Sequence, residues 1–280
     1  MLVDSHQHFW RYDRESYPWI TDDLSVLRVD FLPEDLEPKM LNTGVRGSVA
    51  VQAVQSTTEN QRLLDWADAA PTILGVVGWV DLTADQSRVD LELERFSAHP
   101  KAIGIRHIVQ DEPDSRFLDR EDFRRGVSRL PTYHLTYDLL IRPPQLPAAL
   151  DFVPALPEVP MVLDHLGKPP IASGELENWR LGIETLARQQ NLCAKVSGLV
   201  TEANWEDWQP QDLRPILDIA LEAFGPDRLM LGSDWPVCNL AASYEQVFAV
   251  VQPWLQELSS DERRRIEAGT AIEFYQLDLE

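Results

Sequence analysis

Apolar runs bounded by turn residues recur along the chain and alternate with stretches of helical period. Eight runs, 2–8, 46–53, 73–80, 102–108, 134–141, 159–165, 192–198 and 228–234, are continuously apolar rather than alternating. That pattern predicts strands buried on both faces. Helical patterns lie between them at 33–42, 57–69, 86–98, 120–129, 145–155, 178–190 and 212–224, and two more, 243–258 and 260–275, close the chain. Pro33 suits a first helical turn, Ser56-Thr57-Thr58-Glu59 has the form of a capping box, and Gly225-Pro226 stops the helix before it. Strands alternating with helices in this number predict a single (β/α)8 barrel over residues 1–280. A doubly wound open sheet is the alternative, and the lack of a Gly-x-Gly-x-x-Gly turn after the first strand counts against its dinucleotide-binding form.

One stretch breaks the alternation. Residues 9–32 follow the first strand and carry Phe9, Trp10, Tyr12, Tyr17, Trp19 and Phe31. A long aromatic insertion at the C-terminal end of a barrel strand predicts a lid or a pocket wall, against the plainer reading of a plug.

Composition narrows the classes. A formal charge of −21 repels nucleic acid and anionic lipid. No run is long and apolar enough to span a membrane and no secretory signal is visible, so the expectation is a protein without membrane or nucleic-acid partners. Cys193 and Cys238 form no disulfide framework, which points to the reduced cytoplasm.

Three polar clusters end strands. The first is His6-Gln7-His8: alternation puts both histidines on one face and makes them a chelating pair. The second is Asp164-His165-Leu166-Gly167-Lys168, at the end of strand 6. The third is Gly232-Ser233-Asp234-Trp235, at the end of strand 8. In a barrel these ends meet at one mouth. His6, His8, His165 and Asp234 would suit one divalent ion such as zinc or manganese, and equally a metal-free acid–base cluster. A binuclear centre bridged by a modified lysine is not expected. Lys101 opens strand 4 at the wrong end, Lys195 is inside strand 7, and Lys168 is in a loop.

Arg106, near the end of strand 4, is placed to hold a substrate carboxylate or polarise a carbonyl. His107 faces away from it by alternation. Gln52 and Trp79, ending strands 2 and 3, are candidates for a polyol pocket, and Trp235 for an apolar wall beside Asp234. Asp138 is in strand 5. A buried Lys195 needs a carboxylate neighbour, which predicts an internal salt bridge. His99 and His134 are expected to be structural, and Lys168 either faces solvent or stabilises negative charge.

The segments Asp4-Ser5-His6-Gln7-His8-Phe9-Trp10, Asp164-His165-Leu166-Gly167-Lys168-Pro169 and Gly232-Ser233-Asp234-Trp235-Pro236 together resemble the amidohydrolase superfamily. They are most similar to its lactonase branch of sugar-lactone hydrolases and pyrone-dicarboxylate lactonase. The resemblance extends through Ala271-Ile272-Glu273-Phe274-Tyr275. It implies a (β/α)8 barrel that opens a small, sugar-derived lactone with a site built from His6, His8, His165 and Asp234. It also implies that Asp234 takes the proton of the attacking water and that Arg106 binds substrate. The branch contains both metal-dependent and metal-free members. Two other readings stand beside it: a metal-dependent decarboxylase of an aromatic acid, and a barrel that binds a sugar acid without turning it over.

Overall fold

The computed structural model describes residues 1–278. Eight parallel strands lie in sequence order: β1 (Leu2–Gln7), β2 (Val45–Val51), β3 (Ile73–Gly78), β4 (Ala102–His107), β5 (Thr136–Leu139), β6 (Met161–Leu163), β7 (Leu192–Val196) and β8 (Leu229–Leu231). The ring closes where β1 meets the end of β8. There Asp234 N–H donates to His6 O at 2.8 Å, His8 N–H donates to Trp235 O at 2.6 Å, and Gln7 bridges Trp235. The expected barrel is what forms.

The strands are shorter than the apolar runs. Gln52, Trp79, His165 and Asp234 all lie just past strand ends rather than in them. The cause is backbone geometry at the mouth. His165, Leu166 and Lys168 have φ of 52°, 52° and 55°, and Asp234 has 58°, so the chain turns out of the ladder there. These left-handed positions aim the polar side chains across the opening.

Helices Pro33–Thr43, Thr57–Ala69, Gln86–Ser97, Glu121–Val127, Leu146–Ala155, Glu177–Leu186, Pro210–Phe224 and Tyr244–Gln256 pack outside the strands. The predicted final helix is broken into Ser260–Arg264, a π-helical turn Arg265–Gly269 and Thr270–Tyr275. The expected capping box at Ser56 does not form. Ser56 caps Thr58 N–H, but Glu59 turns inward and its Oε2 accepts from Ala53 and Val54 N–H, each at 2.9 Å. Glu59 also accepts from the Tyr17 hydroxyl at 3.3 Å, so it fastens the 9–32 insertion to the second strand's exit.

That insertion has its own small core of Trp10, Tyr17, Ile20 and Leu27, joined by Ala53. Trp10 and Phe31 bridge each other, and the Trp10 indole donates to Leu27 O and Val29 O. A segment packed this way is a wall. No helix among the described residues is long and apolar enough to cross a membrane.

Candidate active site

β1 ends in the predicted pair. His6 Nε2 and His8 Nε2 are 3.2 Å apart. His8 Nδ1 lies 2.7 Å from Val51 O, which can only accept, so His8 donates there and turns Nε2 toward the centre. From the neighbouring exit of β8, Asp234 Oδ1 approaches His8 Nε2 to 3.3 Å and His6 Nε2 and His165 Nε2 to 3.8 Å each. His165 Nδ1 is 2.9 Å from Ser197 Oγ. The four predicted residues thus converge, drawn from strands at opposite ends of the chain.

Burial sets their charge. Desolvation pushes His165 down to about 4 and holds His6 well below the usual histidine range, so both are neutral near pH 7. Burial alone would raise Asp234, but the facing His165, His8 and His6 outweigh it and hold its carboxyl well below the usual range. Near pH 7 the centre therefore sets the ionised Asp234 carboxylate beside the neutral imidazoles of His6 and His165.

Beneath it lies a charged floor. Asp164 is fully buried, with Oδ2 3.1 Å from Arg106 Nη1 and Oδ1 3.0 Å from Lys195 Nζ. Burial would raise Asp164, but Lys195, His6 and Arg106 hold it well below the usual carboxylate range. Lys195 also donates to Asp138 Oδ2 at 2.5 Å, as the salt-bridge expectation required. Burial raises Asp138 to about 6 despite that partner. Two cations and two carboxylates compensate one another. Asp164 stands next to His165 in the second motif, yet its part in the floor was not foreseen. A carboxylate within a continuously apolar run is the signal that points to it.

The site opens into a cavity of about 320 Å³. His8, Arg106, His165 and Asp234 line its base, and Trp19 and Leu24 of the insertion form one wall. Around the rim, Arg142 faces Asp111 at 3.4 Å and Lys168 faces Glu202 at 3.1 Å. Lys168 is thus a cavity residue with a carboxylate partner. Trp19 and Gln110 both line this cavity, and the indole N–H of the one and the amide oxygen of the other are buried with no hydrogen-bond partner among the described residues. Gln110 and Thr201 sit in single helical turns, Val109–Asp111 and Leu199–Glu202, and Trp205 in the turn that follows, all too short to show a period in the sequence.

Three predicted substrate-binding residues do not line the cavity. Gln52 is fully buried: its Nε2 donates to Arg106 O at 3.0 Å and its carbonyl accepts from the Arg106 guanidinium. It holds Arg106 in place. Trp79 is fixed by Asn60, which bonds both its backbone groups, and its indole points to His107 Nδ1 at 3.4 Å. Trp235 is fully buried against Phe9 and Phe31, so the wall it forms lies behind Asp234. Gln52 and Trp79 each lie one residue past the observed strand end, where the predicted runs still placed them in a strand. His107 stacks on Phe117 and pairs with Glu112 at 2.7 Å, outside the centre as alternation required. His99 pairs with Asp68, and His134 sits in a left-handed turn, as structural residues do.

Whether these side chains suit a metal is a question of donor spacing. Tetrahedral ligands with bonds of about 2.0–2.1 Å stand roughly 3.3 Å apart. The nitrogen and oxygen separations of 3.2–3.8 Å are close to that, and His6, His165 and Asp234 offer atoms all within 4.8 Å of one another. The orientation of His8, with Nδ1 held by Val51 O and Nε2 3.3 Å from the Asp234 carboxylate, is a further fit. The cluster can hold one divalent ion.

Comparison with known proteins agrees with this construction. The family model described as Amidohydrolase matches residues 3–277, and the chain belongs to that family. It is similar to an L-fucono-1,5-lactonase of Burkholderia multivorans, 44% identical over 99% of this chain and 96% of that protein. A second L-fucono-1,5-lactonase, of Burkholderia ambifaria, is 35% identical over 99% and 96%. A crystal structure of an amidohydrolase from Burkholderia multivorans with bound zinc superposes with a TM-score of 0.93, at 43% identity, covering 99% of this chain and all of that one.

Proposed function

We propose that this protein hydrolyses a sugar-derived lactone to the corresponding hydroxy acid. The observation that carries the proposal is the Asp234 carboxylate, ionised and ringed by His6, His8 and His165, at the base of the 320 Å³ cavity. Two full-length relatives, at 44% and 35% identity, are named for this reaction.

In this reading the lactone sits between the Trp19 wall and the base, with its carbonyl carbon toward Asp234. Asp234 takes a proton from water as the water oxygen attacks that carbon. Arg106, fixed by Asp164 and Gln52, places positive charge beside the developing oxyanion. The ring carbon–oxygen bond then breaks, and the leaving oxygen takes the proton held by Asp234. Ionisation of the new acid releases one proton overall. A divalent ion held by His8, His165 and Asp234, with His6, would supply Lewis-acid polarisation of the carbonyl.

The cavity also favours an uncharged substrate. Each cation lining it already faces a carboxylate: Arg106 with Asp164, Arg142 with Asp111, Lys168 with Glu202. A substrate carboxylate would find no uncompensated partner and would pay its desolvation. Two unpaired cysteines suit a reducing compartment such as the cytoplasm.

The test is proton release from a panel of neutral aldonolactones and a dicarboxylated pyrone, with and without zinc or manganese. Turnover of neutral lactones, lost in Asp234→Asn, supports the proposal. Failure on every lactone, with carbon dioxide released from aromatic acids, would overturn it.

A further inference from the structure

The last two residues of β4 point opposite ways. Arg106 faces the barrel centre, and His107 faces the outer layer, where both its ring nitrogens have partners. The indole N–H of Trp79 reaches Nδ1 at 3.4 Å, and Nε2 lies 2.7 Å from Glu112 Oε1. The ring stacks on Phe117, with centroids 4.9 Å apart and planes inclined by 11°, and meets Phe123 edge-on at 5.3 Å. An indole N–H can only donate and a carboxylate can only accept. One form of the ring satisfies both contacts, with Nδ1 bare and Nε2 protonated. Burial favours that neutral ring, because it lowers the His107 pKa below the usual value against the raising effect of Glu112.

The two partners come from different parts of the fold. Trp79 follows β3, and Asn60 of the helix Thr57–Ala69 bonds both its backbone N–H and its carbonyl. Glu112 comes directly after the helical turn Val109–Asp111. The His107–Glu112 bond therefore closes the exit of β4 into a small loop, anchored on one side to Trp79 and on the other to Phe117 and Phe123. Inside that loop are Ile108, Gln110 and Asp111, and all three line the cavity. The first part of the turn has other ties: Ile108 N–H donates to Gln55 Oε1 at 2.9 Å, Gln110 N–H to Leu140 O at 3.1 Å, and Gln145 Nε2 to Val109 O at 2.6 Å. Past Gln110, the polar ties to the rest of the fold among the described residues are two. One is the exposed pair of Asp111 with Arg142, and the other is the clasp of His107 on Glu112. Arg106 is held separately, by Asp164 and by Gln52 O.

We propose that His107 is a positioning residue for substrate: by clasping Glu112 it sets the shape of the β4 exit turn, and with it the part of the cavity wall formed by Ile108, Gln110 and Asp111. The kinetic consequence rests on the lactonase reading, but the order of the turn is read without substrate.

The test uses three variants. Glu112→Ala removes the acceptor, Glu112→Gln keeps one, and His107→Phe keeps a ring to stack on Phe117 and loses the donor. Amide hydrogen exchange is read first, by mass spectrometry on the protein alone. Exchange over residues 108–112 should be at least about tenfold faster in Glu112→Ala and His107→Phe, with Glu112→Gln close to wild type. Wild-type exchange of the turn in folded Glu112→Ala overturns the proposal, whatever the enzyme acts on. On a neutral lactone that the wild type hydrolyses, the same two variants should raise KM about five- to tenfold and leave kcat within about twofold. Combining them should add little, because both break one bond, and fully additive losses overturn the proposal. A fall in kcat at unchanged KM, or an equal loss in Glu112→Gln, also overturns it. If no lactone is turned over, the exchange result decides alone.

Discussion

The carboxylate of Asp4 accepts both the backbone N–H of Ser233, at 2.8 Å, and its hydroxyl, at 2.6 Å, although the two residues are 229 apart in sequence. The pair joins the strand that carries His6 to the turn that carries Asp234. Burial pushes Asp4 up to about 6 even with these donors in place. Ser233→Ala removes one of them and leaves a buried oxygen short of a partner. The expected cost is roughly 1–3 kcal/mol in denaturant unfolding. A drop in kcat should accompany it, because the same turn sets the direction of Asp234.

The acid limb of the rate profile should lie unusually low for a histidine site. An ordinary histidine gains its proton near 6.5. Burial keeps His165 neutral down to about 4, and Asp234 stays ionised lower still. The kcat/KM for a neutral lactone is expected to be level from about pH 8 to about pH 5 and to fall only below that. A midpoint near 6.5 on the acid side would contradict the burial argument.

Glu59 makes stability depend on pH in the opposite sense. Burial raises its carboxyl from 4.5 to about 7, against the stabilising bonds from Val54, Ala53 and Tyr17. Between those values the folded chain keeps a proton that the unfolded chain has lost. Stability is therefore greatest below 4.5, falls as pH rises through 7, and is level above it, with a contribution on the order of 3 kcal/mol. Glu59→Gln keeps the shape and cannot ionise. Its melting temperature relative to wild type should rise by several degrees between pH 5 and pH 8.

Gly198 follows β7 at φ 63°, where a side chain is strained. A Cβ there would stand 2.6 Å from His165 Nδ1 and 3.2 Å from Asp234 Oδ2. Gly198→Ala is expected to lower stability by about 1–2 kcal/mol from the backbone alone. It should also cut kcat more than it raises KM, since it displaces the imidazole and not the cavity walls. Steady-state kinetics on the purified variant separates the two effects.

Much of the centre was legible in order of residues. His6 and His8 share a face because strands alternate, and an apolar run that ends in histidine or aspartate already says that something polar is held at a strand end. The need of a buried Lys195 for a carboxylate was readable from solvation cost alone. The roles of Gln52, Trp79 and Trp235 were not. Each depends on where the ladder stops, and a shift of one or two residues turns a side chain from the mouth to the interior. Glu59 shows the same limit, since the local pattern offered it a helix cap and the tertiary fold used it to tie down the insertion.

Strand and helix order, the barrel, the His-x-His pair and the acidic base are properties of the sequence by itself, because hydrophobic period and side-chain chemistry are local. Which carboxylate compensates which cation and which side chains line the cavity belong to the tertiary structure. Those depend on distances of about 3 Å between residues remote in sequence, and only the closed barrel sets them.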